Sequence, residues 1–191
     1  SEMHFVAALD RVEGMRGVLA LFEGVATGAA DGYARMAGKP AATLLHLGPG
    51  LANGLANLHN AMKARTPIVN IVGEHATYHI AHDAPLTADI EGAARPFSGW
   101  VRTSPDASRV AADAADAIVA AQTPPGQVAT LILPGDTAWN EGSGPVEVPP
   151  VPARRPVGED AVREAARALR SGEPALLLVT GPALQPEGLE T

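Results

Sequence analysis

Cysteine is absent from the sequence, so disulfides and thiolate metal sites are both excluded. Aromatic side chains make up only 4% of it, so the core has to close by near approach of helices and sheet rather than around large rings. Positive charge is scarce as well: 14 Lys and Arg stand against 21 Asp and Glu, a formal net charge of −7. Nucleic acid and anionic membrane reward basic patches, so neither is expected as a partner. Missing too are an apolar run near the roughly 18 residues that read as a membrane span and a basic stretch leading into an apolar one. A soluble cytoplasmic protein is the expectation.

What remains is ample for a core. Hydrophobic residues make up 46%, and 191 residues hold one domain of ordinary size plus part of another. Strand-like and helix-like segments alternate, the pattern of a doubly wound α/β fold with a parallel sheet. Residues 17–22 read as a buried strand, and 23–36 as a helix rich in Ala and Gly. A strand over 41–47 closes at Gly48-Pro49-Gly50. Leu51, Leu55, Leu58 and Met62 then share one face of a 3.6-residue period, which predicts a helix. Residues 68–72 form the next strand. The stretch 74–96 carries too many His, Asp and Pro for a core element, and loops of that length are usually functional or disordered. A helix over 106–121 and a strand over 128–133 complete a first domain assigned to residues 1–143. Five prolines suit an extended linker over 144–157. From residue 158 a helix marked by Val162, Ala165, Ala166 and Leu169, ended by Gly172, leads into a strand at 175–180, the beginning of a second α/β domain. The opening at Ser1 and the stop at Thr191 soon after that strand read as the ends of a piece of a longer polypeptide.

Four groups of residues could carry chemistry. Glu23 stands at a strand-to-helix junction, on the carboxyl edge where parallel sheets hold ligands. Such a glutamate is also common simply as a first-turn acid stabilised by the helix dipole. The turn Gly48-Pro49-Gly50 lies between strand and helix, a geometry that suits phosphate. A dinucleotide fingerprint would want a third glycine where Asn53 stands, so a Rossmann-like nucleotide-binding domain is the weaker alternative, of a different class. His46 precedes this turn on the same sheet edge as Glu23, and two titratable groups converging on one cleft mark a site. His75, His79 and His82 with Asp83 suggest a metal, but the segment is not helical by pattern and holds no His-Glu-x-x-His, so no metal ligand is assigned. Gly135-Asp136 lacks the following glycine of a magnesium motif.

The stretch Glu23-Gly24-Val25-Ala26-Thr27-Gly28-Ala29-Ala30-Asp31-Gly32-Tyr33-Ala34-Arg35 resembles the N-terminal, pyrimidine-binding domain of thiamine-diphosphate enzymes of the acetolactate synthase and benzoylformate decarboxylase family. Ser1-Glu2-Met3-His4-Phe5, Gly48-Pro49-Gly50-Leu51-Ala52-Asn53-Gly54 and Pro67-Ile68-Val69 resemble further blocks of the same domain, and 161–181 resembles the entry to the family's central domain. The resemblance implies a carboligase or decarboxylase acting on a 2-oxo acid. It implies that Glu23 hydrogen-bonds N1′ of the aminopyrimidine of thiamine diphosphate, favouring the imino tautomer whose N4′ takes the thiazolium C2 proton. Gly48, Pro49, Gly50 and Asn53 are the further cofactor-binding candidates. His46 stands where acetolactate synthases carry a Thr-Ser pair, and a histidine there resembles benzoylformate decarboxylase, in which it contacts substrate and relays protons. Residues 84–89 likewise replace the Phe-Gln-Glu of true synthases. The family's site lies between two subunits, so a second copy of the chain is an implied partner, in a dimer or tetramer. Mg²⁺ is implied with the diphosphate, on a C-terminal Gly-Asp-Gly and Asn motif that this sequence lacks. FAD is compatible with the family but not derivable from these residues.

Overall fold

The computed structural model describes residues 2–185 and Gly188. The chain divides into two compact units, 1–152 and 153–191, with the boundary inside the proline-rich stretch.

The first unit is built on four parallel strands: β1 (Ala41–His46), β2 (Ile68–Glu74), β3 (Trp100–Thr103) and β4 (Val128–Pro134), in the order β1-β2-β4-β3. All seven residues of β2 and of β4 are buried. Strands covered on both faces read as continuous apolar runs, which is how both segments read in the sequence. Side chains alternate between two cores. Ile68, Val72, Val128 and Ile132 meet Leu51 and Leu58 of α3 (Leu47–Ala64) and Ala30 of α2 (Glu23–Ala37). Val69, Ile71, Ala129, Leu131 and Leu133 meet Ala117 and Ala121 of α5 (Val110–Gln122) and Phe5 of α1 (Met3–Leu9). The doubly wound parallel architecture expected from the sequence is the one observed.

A polar row crosses the first core. Thr43, Asn70 and Thr130 are opposite one another in register. Thr43 Oγ1 donates to Asn70 Oδ1 at 2.8 Å, and Asn70 Nδ2 donates to Thr130 Oγ1 at 3.1 Å. The fully buried Asn70 is thereby satisfied, as a buried amide must be.

Helices α2 and α3 approach closely because both present small residues. A Cβ on Gly54 would lie 3.0 Å from Thr27 Cγ2 and 3.1 Å from Leu45 Cδ1, and one on Gly28 would lie 2.9 Å from Asn57 Nδ2. Through the gap Thr27 Oγ1 donates to the Gly54 carbonyl at 3.0 Å, and Asn57 Nδ2 to the Gly24 carbonyl at 2.7 Å.

Several elements differ from expectation. Residues 17–22 form no strand: Leu19 and Leu21 are 89% and 96% exposed. An apolar run is a strand only when a neighbour takes up its backbone groups, and among the described residues none pairs with this one. Residues 175–180 likewise form no strand, with Leu176, Leu177 and Leu178 exposed. The second unit therefore contributes helix α7 (Glu159–Leu169) and a short 3₁₀ turn at Gly181–Leu184, without a strand among its described residues. Helix α3 begins at Leu47 rather than Leu51, so Gly48-Pro49-Gly50 is its first turn and not a separate loop. Pro49 is tolerated there because first-turn N–H groups have no intrahelical partner. Strand β3 and the short helices α1, α4 (Ile90–Ala94) and α6 (Gly135–Trp139) carry no strong periodicity and escape a reading by pattern.

Candidate active site

The carboxyl ends of β1, β2 and β4 open on a cleft of about 290 Å³, lined by His46, Glu74, His75, Tyr78, Leu86, Gly135 and Trp139, among others. This is the edge at which open parallel sheets hold ligands. Helix α1 docks there: Phe5 enters the second core, and the His4 ring meets the Trp139 ring edge-on at 5.9 Å. Thr77, beyond β2, is tied to the first turn of α6, its N–H donating to Asp136 Oδ1 at 2.9 Å and its hydroxyl to Oδ2 at 2.5 Å. Burial pushes the Asp136 carboxyl up, and the Thr77 bonds outweigh it, so the group rests below the ordinary aspartate range.

Glu23 opens α2 and is half-buried. Asn53, on the second turn of α3, donates from Nδ2 to Glu23 Oε2 at 3.1 Å. The other carboxylate oxygen faces Gly50, where an added Cβ would lie 3.6 Å from Oε1 and 3.4 Å from His46 Cβ. Glu23, His46, Gly50 and Asn53 thus gather around the start of α3, as the sequence reading grouped them. Gly48 and Pro49 do not share one environment. Gly48 is buried under the 84–89 segment, where a Cβ would collide with the Ala88 side chain, while Pro49 is exposed. The helix start is thus covered at Gly48 and open at Pro49.

The histidine run stacks on itself. The His79 ring lies 5.4 Å from His75 and 5.6 Å from His82, centroid to centroid. Among the described residues no group of three or more His, Asp or Glu side chains is placed to hold a metal ion. No described helix is long and apolar enough to cross a membrane.

Two features escaped sequence reasoning. Glu2 reaches His46, with Oε2 2.7 Å from Nδ1. Their separation of 44 residues left no local signal for the pair. Helix α2 also carries a second apolar stripe on its outer side: Phe22, Val25, Tyr33 and Met36 are all exposed, Met36 by 88%. Val25, Tyr33 and Met36, eight and three residues apart, fall on one face of the helix, with Phe22 at its N-cap, a signal that was available in the sequence.

Comparison with known proteins identifies relatives of this chain. Residues 1–93 match the thiamine pyrophosphate enzyme N-terminal TPP-binding domain. A Mycobacterium tuberculosis protein provisionally named acetolactate synthase large subunit IlvX is 59% identical over 190 residues, 99% of this chain and 36% of the relative. Benzoylformate decarboxylase of Pseudomonas aeruginosa is 33% identical over 128 residues, 66% of this chain and 24% of that protein. Among solved structures, the thiamine diphosphate-dependent 4-hydroxybenzoylformate decarboxylase of Rhodococcus jostii RHA1 superposes with a TM-score of 0.77 at 25% identity, over 89% of this chain and 33% of the other. The chain spans between 24% and 36% of the length of each of these relatives. By its matched domain and its relatives, the chain belongs to the thiamine pyrophosphate enzyme family.

Proposed function

We propose that the protein is a thiamine-diphosphate-dependent carboligase or decarboxylase of 2-oxo acids, acetolactate synthase-like, and that this chain is its pyrimidine-binding part. The observation that carries the proposal is the Glu23 carboxyl, fixed at one oxygen by Asn53 and left with the other beside Gly50. This arrangement fits an aminopyrimidine: one carboxyl oxygen is anchored, and the second can share a proton with a ring nitrogen. The bound cofactor supplies the carbanion chemistry, and the protein's part is orientation and one correctly held proton. Asn53 orients Glu23, Glu23 Oε1 holds the proton toward the ring, and Gly50 leaves room for it.

The exposed stripe of α2 supports a second copy of the chain as partner, because apolar patches of this kind mark interaction surfaces. Mg²⁺ accompanies the diphosphate by resemblance and is assigned to no residue of this chain, and FAD forms no part of the proposal. A cytoplasmic setting is part of the proposal.

His46, on the cleft, favours a benzoylformate-type decarboxylase as the second reading. Product analysis separates the two outcomes: an acetohydroxy acid from pyruvate supports the synthase, and an aldehyde from an aromatic 2-oxo acid supports the decarboxylase. Glu23→Gln in the intact protein tests what both readings share. Turnover should fall by about 10²-fold or more, with the oligomer preserved in sedimentation. Turnover within twofold of the parent would overturn the proposal.

A further inference from the structure

We propose that Glu2 is a positioning residue for His46, holding the imidazole in its Nδ1–H tautomer so that Nε2 carries the lone pair offered to the cleft. The inference rests on the reading of His46 as a proton-handling group, and adds to it which ring atom does the work and what selects that atom.

Three observations support it. The contact between Glu2 Oε2 and His46 Nδ1 is 2.7 Å, the length of a charge-assisted bond, and an ionised carboxylate can only accept, so the ring must donate from Nδ1. The Glu2 side chain is 16% exposed and that of His46 54%, so the carboxylate sits beneath the ring while the ring edge remains accessible beside the cleft. Space for the carboxylate is made at Gly73, near the end of β2, where an added Cβ would collide with the Glu2 carboxylate and meet no other residue among its nearest atoms. Helix α1 delivers Glu2 to this place because Phe5 and His4 anchor it to the second core and to Trp139. Which ring nitrogen carries the proton is set by the bond that the other side of the ring makes, and a neutral imidazole has one acceptor nitrogen to offer. A buried carboxylate fixing a catalytic histidine's tautomer is a known device of hydrolases, on unrelated folds.

The test uses the intact protein labelled with ¹⁵N-histidine, at about pH 8.5, well above the ordinary histidine range. Long-range ¹H–¹⁵N correlations identify the tautomer, and His46→Ala assigns the signals. Parent protein should show Nδ1 protonated and Nε2 bare. In Glu2→Ala the ring should revert toward the Nε2–H form that free histidine prefers, with kcat reduced about ten- to a hundredfold and KM within about twofold. Gly73→Ala, which displaces the carboxylate without removing it, should shift the tautomer the same way. Retention of the Nδ1–H form in Glu2→Ala, or a kcat within twofold of the parent, overturns the proposal. If His46→Ala also leaves turnover intact, the role of His46 itself falls and this inference with it. If His46→Ala abolishes turnover while Glu2→Ala does not, only the pairing is refuted.

Discussion

Asp113 shows how a single side chain can hold a corner of the sheet. It is 99% buried, and its carboxylate accepts from Arg102 Nη1 at 2.9 Å and from Ser104 Oγ at 2.8 Å. Arg102 also donates to Asp116 Oδ2 at 2.5 Å, and these bonds, Asp116 first, raise its guanidinium above the usual range. Asp113→Ala removes the acceptor common to β3 and α5. It should cost about 3 kcal/mol, or roughly 6–12 °C in Tm for a unit of this size, measured by thermal unfolding. Asp136 makes a smaller, pH-dependent contribution. Its native pKa is depressed, so the stabilisation is complete above the unfolded value of about 3.9 and is lost as pH falls through the native value. Thr77→Val should therefore lower stability by no more than about 1 kcal/mol in urea titrations at neutral pH, because the pair is solvent-accessible. The difference from the parent should shrink below about pH 4.

At the scale of elements, the close pairing of α2 with α3 brings Glu23 and Asn53 within reach of each other. Gly54→Ala would press a methyl group against Thr27 and Leu45, so these neighbours must give by a few tenths of an ångström. A loss of about 1–3 kcal/mol is expected in unfolding, and the Asn53–Glu23 bond should lengthen in a crystal structure of the variant. Asn70→Val would leave Thr43 and Thr130 without their shared partner, at a cost of about 1–3 kcal/mol. These elements also show what could be read in advance. Strands β1, β2 and β4 and helices α2, α3 and α5 were legible because their burial imposes unbroken apolar runs or a 3.6-residue period. Asn53 occupies the place where a dinucleotide fingerprint wants its third glycine, yet Gly54, one residue on, does the close packing. Four-residue β3 is half-buried throughout and α1 has only Phe5 and Leu9 half-buried, so neither leaves a pattern to read.

For the whole molecule, sequence periodicity describes what a segment can bury, and the burying partner need not lie in the same segment. Residues 17–22 read as core and lie exposed for that reason, as do the apolar residues of α7. Glu23 was paired with His46 through a strand over 17–22 that is not formed, and Gly50 and Asn53 joined them through the family resemblance, whereas the Glu2–His46 contact depended on how a seven-residue helix docks. The outer stripe of α2 belongs to this scale as well. Val25→Glu with Met36→Glu should raise the self-association Kd about tenfold or more in sedimentation, with circular dichroism unchanged. The account as a whole turns on one carboxyl. Exchange of the C2 proton of bound thiamine diphosphate for deuterium, followed by NMR in the parent and in Glu23→Gln, reads that carboxyl's action before any substrate is involved. Exchange should slow by about 10²-fold or more in the variant while the cofactor stays bound, and equal exchange rates would contradict the account.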